Sequence, residues 1–254
     1  GSPAPVFVAV LAAPTRERPN SRPAFVVGYV ILVAAGIAGV AVLVDHAGQA
    51  QARAQFQQHV IPNYGRYPVN LVRGEGSRVW DSEGNQYLDL FPGWGCNLLG
   101  HCPPAVVEAV QQQVATLIHV PNSWHMEIQG RWAQMLSDRS FGGQAFFCNS
   151  GAEANEGAVK LARKYGREHR NGAYEIITAL NSFHGRTLTM AAATGQPHYQ
   201  EVWKPLIPGF VHVPFDDVDA LKQATTEQTC AVLLEPVEAE GGVIVPHPGY
   251  LREV

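Results

Sequence analysis

From residue 144 onward, short apolar runs alternate with helix-length amphipathic stretches. Gln144–Cys148 reads as a strand and Ala152–His169 as a helix. Tyr174–Ala179 reads as a strand, followed by a helix near Thr187–Ala193. Phe210–Val213 and Val218–Ala224 repeat the pattern, and Ala231–Leu234 is a short strand of the buried type. Strands that alternate with helices argue for an α/β fold around a largely parallel sheet. In such sheets the C-terminal ends of the strands line the site. The residues just after each strand therefore matter most.

Three of these strand ends carry usable chemistry. After Phe146–Cys148 come Ser150, Gly151 and Ala152, then a helix. A helix start offers unpaired backbone N–H groups and a favourable dipole for an anion, and small residues let it approach closely. Taken alone, the stretch equally describes an ordinary strand–helix turn, and Glu156 one turn later can serve only the helix dipole. The second stretch, Ser182–Thr187, sets Phe183, His184 and Arg186 within four residues. An aromatic ring there can stack on a flat ligand, and a guanidinium suits a carboxylate. Core packing for Phe183, a local hydrogen bond for His184 and a solvated Arg186 are the plainer readings. The third, Glu235–Gly242 (EPVEAEGG), places Glu235, Glu238 and Glu240 after an apolar strand. They can orient a cofactor, pair with arginines, or form a solvated acidic loop.

Composition excludes some function classes. A chain of 254 residues with 46% apolar and 16% charged residues has enough material for one large domain plus appendages. The net charge of −4 comes without a basic run, so no nucleic-acid partner is expected. Cys96, Cys102, Cys148 and Cys230 form no CxxC pair, and the ten histidines show no metal-ligand spacing, so no metal is expected. The sparse cysteines point to a reducing, cytoplasmic compartment.

The amino-terminal part reads differently. Ala24–Val44 is an uncharged stretch long enough to cross a bilayer as a helix. Arg16, Arg18 and Arg22 precede it, which would keep the N-terminus inside and export the chain after residue 44. That conflicts with a cytosolic enzyme, so a buried helix or non-native upstream sequence stands beside membrane attachment. Gln49–His59 suits a helical linker. Runs around Gly76–Trp80 and Gln86–Leu90, separated by turn formers, signal a hairpin. Pro103–Pro104 opens a helix, and Met126–Leu136 is another. The expected organisation is an extension over 1–58, a small-domain segment over 59–101 and a larger domain over 102–254. Gly1 in place of Met and the helix-like Leu251–Val254 both read as cuts, so a fragment is expected.

In order and spacing these motifs become one pattern. Asn70–Leu90, then Asn97–Pro104 (NLLGHCPP), Phe146–Arg167, Ser182–Gln196 and Cys230–Val243 together resemble the class III aminotransferases. His119–Glu127 (HVPNSWHME) favours the branch that acts on N-acetylornithine over the ornithine branch. The resemblance spans about Ile61–Val254. It implies the type I fold of pyridoxal-phosphate-dependent transferases, with helices on both faces of the sheet and a homodimer when complete. It implies pyridoxal 5'-phosphate as cofactor, held by Ser150, Gly151, Ala152, Phe183 and His184, with Phe183 stacked on the ring. It implies that Arg186 holds the substrate α-carboxylate and that Glu240 lies near the substrate. Glu238 and Ala239 stand where the family usually has Gln and Gly. Gly93–Cys96 falls in the region that shapes the family's substrate pocket.

The implied reaction passes the δ-amino group of N-acetylornithine to 2-oxoglutarate, yielding glutamate, as a step of arginine biosynthesis. Ornithine, succinyl-diaminopimelate and 4-aminobutyrate remain open as alternative amino donors. So does a catalytically dead, membrane-tethered relative that binds a phosphate ligand. None of Lys160, Lys164, Lys204 and Lys222 lies in the family's Schiff-base context, and the family's pyridinium aspartate lies beyond the EPV loop. The expectation is that residues 1–254 alone do not transaminate. A sheet edge left exposed would also lower solubility.

Overall fold

The computed structural model describes residues 6–11, 28–33 and 48–254. Among the described residues, 48–124 form one compact unit, and 125–254 together with 6–11 and 28–33 form the other. His101 and Gly76 exchange backbone hydrogen bonds of 2.7 and 2.9 Å, which ties the segment after His101 to the preceding strands.

In chain order, the elements begin with strands β1 (Val6–Leu11) and β2 (Gly28–Val33), which pair antiparallel. Residues 28–33 of the apolar 24–44 segment are therefore strand; the rest of that segment lies outside the described residues. No helix among the described residues is long and apolar enough to cross a membrane. Helix α1 (Gln49–His59) is rich in Gln and Ala and buries no residue.

The first unit is built on an antiparallel meander of β3 (Leu71–Glu75), β4 (Arg78–Asp81) and β5 (Gln86–Leu88). Alternation along β4 turns Val79 and Asp81 inward. Asp81 then organises the β4–β5 turn. Its carboxylate accepts from the Glu83 and Asn85 amides at 2.9 Å, from the Asn85 side chain at 2.9 Å and from the Tyr87 hydroxyl at 2.8 Å. These donors, led by Asn85, hold its pKa at about 2. The glycine at 74 is required: a Cβ there would meet the His101 ring at 2.6 Å. Helix α2 (Pro104–Val114) comes next, with proline in its first turn.

The second unit contains the site. Helix α3 (Glu127–Asp138) precedes β6 (Gln144–Cys148), and α4 (Gly151–His169) comes after it. Then come β7 (Glu175–Ala179), α5 (Leu188–Ala193), the short α6 (Pro197–Gln200), β8 (Phe210–Val213), α7 (Val218–Ala224), β9 (Thr229–Leu233) and α8 (Tyr250–Glu253). The parallel sheet runs in the order β8-β7-β9, with Ile177 facing Val211 on one side and Val232 on the other. Among the described residues β6 is not hydrogen-bonded into this sheet. It pairs antiparallel with β1, where Val8 faces Phe147.

Successive residues of β7 point to opposite faces, and this divides the core. Ile176 joins Val159, Met190, Ala193, Cys230 and Leu233 under α4 and α5. Ile177 joins Val213 and Leu221 under α7. Helices thus cover both faces, as the type I expectation requires. Helix α4 approaches closely because its inner face is small: Ala154, Ala158, Val159 and Gly166 are buried. A Cβ on Gly166 would overlap the carbonyl oxygen of Ala173.

Candidate functional site

Two loops and one helix start meet at the C-terminal ends of the strands in the second unit. Ser150 caps α4, its hydroxyl accepting from the Glu153 amide at 3.2 Å. The Glu153 carboxylate in turn accepts from the Asn149 amide. The side-chain oxygens at both ends of this turn hold the helix start in shape. The amides of Gly151 and Ala152 open a helix of 19 residues, positions that have no partner within the helix.

The Ser182–Thr187 loop is drawn against this helix start by three contacts. The Asn155 amide donates to the His184 carbonyl at 2.7 Å. The Thr187 hydroxyl donates to Glu156 at 2.6 Å and caps α5 by accepting from the Met190 amide. Gly185, with φ +131°, passes so close that a Cβ would lie 2.8 Å from the Ala152 Cβ. Only glycine meets both the backbone angle and the spacing.

Within the loop the side chains part company. Phe183 is half-buried and Arg186 is exposed. The Arg186 guanidinium lies 5.8 Å from the Phe183 ring centre and 5.5 Å from the Tyr199 ring centre. The His184 imidazole turns inward and is only 2% exposed. Burial, reinforced by His212 nearby, pushes its pKa down to about 4, so it is neutral at physiological pH. His184 serves the loop through its backbone: its amide donates to the Thr194 hydroxyl at 2.9 Å, and its carbonyl accepts from Asn155.

The acidic loop after β9 closes the arrangement. Glu235 accepts from the Phe183 amide at 2.8 Å and from the Ala239 amide at 3.2 Å. Burial raises its pKa. Glu240 is exposed and accepts from the Tyr199 hydroxyl at 2.6 Å. Glu238 is only 1% exposed, and neither carboxylate oxygen has a hydrogen-bond partner. Its backbone pairs with Ile244 across the loop, which fixes the side chain inward. Burial, and secondarily Glu235, pushes its pKa up to about 7.

The structure thus brings Ser150, Gly151, Ala152, Phe183, Arg186 and Glu240 into one linked set. It buries the ring of His184. Gly93–Cys96 belongs to the first unit, in a turn where residues 93–95 all have positive φ. Tyr199 and Gln196 were not legible as site residues. Gln196 donates to the Ser182 carbonyl at 3.2 Å and to Glu240 at 3.4 Å. The one available signal was their place shortly after the Phe-His-Gly-Arg stretch.

The arrangement suits a flat anionic ligand. It offers helix-start amides for an anion, a half-buried aromatic ring and an exposed guanidinium for a carboxylate.

Comparison with known proteins agrees with this chemistry. The family profile of aminotransferase class III matches residues 60–254. An acetylornithine aminotransferase of Caldanaerobacter subterraneus subsp. tengcongensis is 51% identical over 199 residues, which cover 78% of this chain and 51% of the relative. Another, from Methanocaldococcus jannaschii, is 52% identical over 196 residues, covering 75% and 48%. Among solved structures, the ornithine aminotransferase of Toxoplasma gondii superposes with a TM-score of 0.77 at 32% identity, over 83% of this chain and 51% of that one. The acetylornithine aminotransferase of Elizabethkingia anophelis gives 0.69 at 34% identity, over 82% and 52%. The chain spans about half the length of the curated relatives it matches.

Proposed function

The chain belongs to the class III aminotransferase family, and on that footing we propose that it forms the cofactor- and carboxylate-anchoring part of an N-acetylornithine aminotransferase. The enzyme moves the δ-amino group of N-acetylornithine to 2-oxoglutarate, giving glutamate, in arginine biosynthesis. A homodimer and a cytoplasmic location belong to the same reading. The observation that supports it most is the close packing of Gly185 on Ala152. It sets the Phe183–Arg186 loop directly beside the start of α4.

Pyridoxal 5'-phosphate fits the residues present. The amides of Gly151 and Ala152 and the Ser150 turn would hold its phosphate, and the Phe183 ring would cover its pyridine face. When bound, this cofactor supplies the electron sink that lets an amino group move between carbon skeletons. The chain's own residues bind and orient. Arg186 receives the substrate carboxylate in a fork of N–H donors. Glu240 stands at the same opening, tied to Tyr199. Glu235 fixes the backbone of Phe183, and so the height of the ring above the sheet. The buried neutral His184 fills the space beneath the loop and adds no charge near the cofactor.

Kinetics of the enzyme expressed from the complete gene test the reading. N-acetylornithine should be preferred to ornithine, succinyl-diaminopimelate and 4-aminobutyrate by at least tenfold in kcat/KM. Equal preference for unacetylated ornithine would overturn the substrate assignment. Absence of amino transfer from every donor would overturn the transaminase reading itself.

A further inference from the structure

Glu238 is an acid enclosed without a counter-charge. It is 1% exposed, and neither carboxyl oxygen has a hydrogen-bond partner. Its Oε2 lies over the backbone of its own loop: a Cβ on Gly241 would stand 3.2 Å from it and 2.9 Å from the Asn181 carbonyl oxygen. The ionisable groups around it are mostly acids. Its own loop carries Glu235 and Glu240, and Leu180, Asn181 and Ser182 opposite carry none. Helix α8 brings the fully buried Tyr250 phenol, which senses Glu238 together with Asp216 and Asp217. His247 packs on the Tyr250 ring, and two carboxylates meet its imidazole, Asp216 at 2.6 Å and Glu253 at 3.6 Å. Two backbone hydrogen bonds close the hairpin at this point. The Glu238 amide donates to the Ile244 carbonyl at 3.0 Å, and the Ile244 amide to the Glu238 carbonyl at 2.9 Å.

A neutral carboxyl is tolerated in such a place, but an unpaired buried carboxylate costs far more. The glutamine usual in the family at this position cannot ionise at all. We propose that the Glu238–Ile244 hairpin is a proton-held latch: it closes on the neutral Glu238 carboxyl and opens when that carboxyl ionises. In the closed loop the carboxyl keeps its proton up to about pH 7, against 4.5 for its ordinary state in an opened loop. Opening therefore releases a proton across that interval, and closure weakens as pH rises through it. Above it both forms are ionised and the weakening stops. Glu240 rides on the same loop, so opening shifts a carboxylate assigned to the substrate's side. That consequence rests on the proposed function; the latch itself does not.

Hydrogen–deuterium exchange of the enzyme from the complete gene tests the latch at the Glu238 and Ile244 amides, after correction for intrinsic exchange. From about pH 5.5 to about pH 7.5, the two pKa values imply that protection of both amides falls by about twentyfold in wild type. In Glu238→Gln protein it should change by less than about twofold. The Ile177 and Leu233 amides of the core sheet should stay at least about tenfold more protected throughout. Loop protection that ignores pH in wild type overturns the latch, and a cation brought to Glu238 by the rest of the protein would show itself in this way. Equal pH dependence in both proteins overturns Glu238 as the trigger. Loop amides as protected as the core would mean that the hairpin opens only with the whole fold, and overturn the latch as well. Should Glu238→Gln fail to fold, the wild-type series decides. KM for 2-oxoglutarate over the same range reads the consequence separately. A latch that opens while KM stays flat in wild type keeps the latch and overturns the placement of Glu240 beside the substrate.

Discussion

The Asn155 side chain, one turn into α4, donates a 2.7 Å hydrogen bond to the backbone carbonyl of His184. The bond is buried and joins residues 29 apart in sequence. It fastens the helix that would receive the phosphate to the loop that would cover the ring. Replacing Asn155 with Ala leaves the His184 carbonyl buried without its donor, at a cost of about 1–3 kcal/mol. Urea unfolding should show the loss, and cofactor affinity should fall with it. An unchanged midpoint would mean that water or a neighbour replaces the bond.

Glu238→Gln should be stabilising in a pH-dependent way. The Glu238 carboxyl has a folded pKa of about 7 against 4.5 in its ordinary state. A folded pKa raised in an acid means that the native state holds the proton more tightly. Stability is then greatest below pH 4.5 and falls as pH rises through 7. The glutamine protein should exceed wild type by about 1–3 kcal/mol at pH 8, with the gap closing by about pH 5. Parallel denaturant titrations across that range measure it; a gap that does not depend on pH would point to packing and not to charge.

His184 predicts the opposite slope. Its folded pKa of about 4 lies below the ordinary 6.5, so the unfolded chain takes the proton first. Its contribution is fully present above pH 6.5 and is lost as pH falls toward 4, by about 3 kcal/mol at most. Unfolding of the Glu238→Gln protein exposes this loss without the compensating gain. Replacing His184 with Gln in that background should flatten the curve.

Two glycines in helices should respond in opposite directions to alanine. At Gly166 a new Cβ would overlap the Ala173 carbonyl and stand 2.8 Å from the Cys230 Cβ, so the helix must lift from the sheet. That should cost about 1–3 kcal/mol. At Gly130 in α3 there is nothing within 4 Å, and the backbone is helical. Alanine there should add about 0.5–1 kcal/mol through helix propensity and a less flexible unfolded chain. Thermal melts of the two variants give the comparison.

Local pattern carried most of the second unit. Gln144–Cys148, Phe210–Val213 and Val218–Ala224 form the elements their residues suggest, because apolar run, cap and turn agree at each. Strand β3 was harder to read: Leu71–Glu75 contains glycine and two charges, and its pairing with β4 supplies what its composition does not. The antiparallel partner of β6 also lay beyond local reasoning, since Val6–Leu11 is more than 130 residues away in sequence. At the site, residue types suggested anion, ring and carboxylate contacts, but not the direction each side chain takes. His184 stands between Phe183 and Arg186, yet it alone is buried, because Thr194 takes its amide and Asn155 its carbonyl. Tyr199 was silent because a lone tyrosine in a one-turn helix forms no motif. Glu238 was visible as a departure from the family pattern, but its burial depends on the backbone pairing with Ile244.

Glu235 has one oxygen on the amide of Phe183 and the other on the amide of Ala239. One carboxylate thereby acts as a rivet through two loops that leave different strands, β7 and β9. Neither loop can lift without breaking a bond that also restrains the other. In hydrogen–deuterium exchange the amides of Phe183 and Ala239 should therefore open together, as one cooperative unit, and Glu235→Gln should release them into two independent rates.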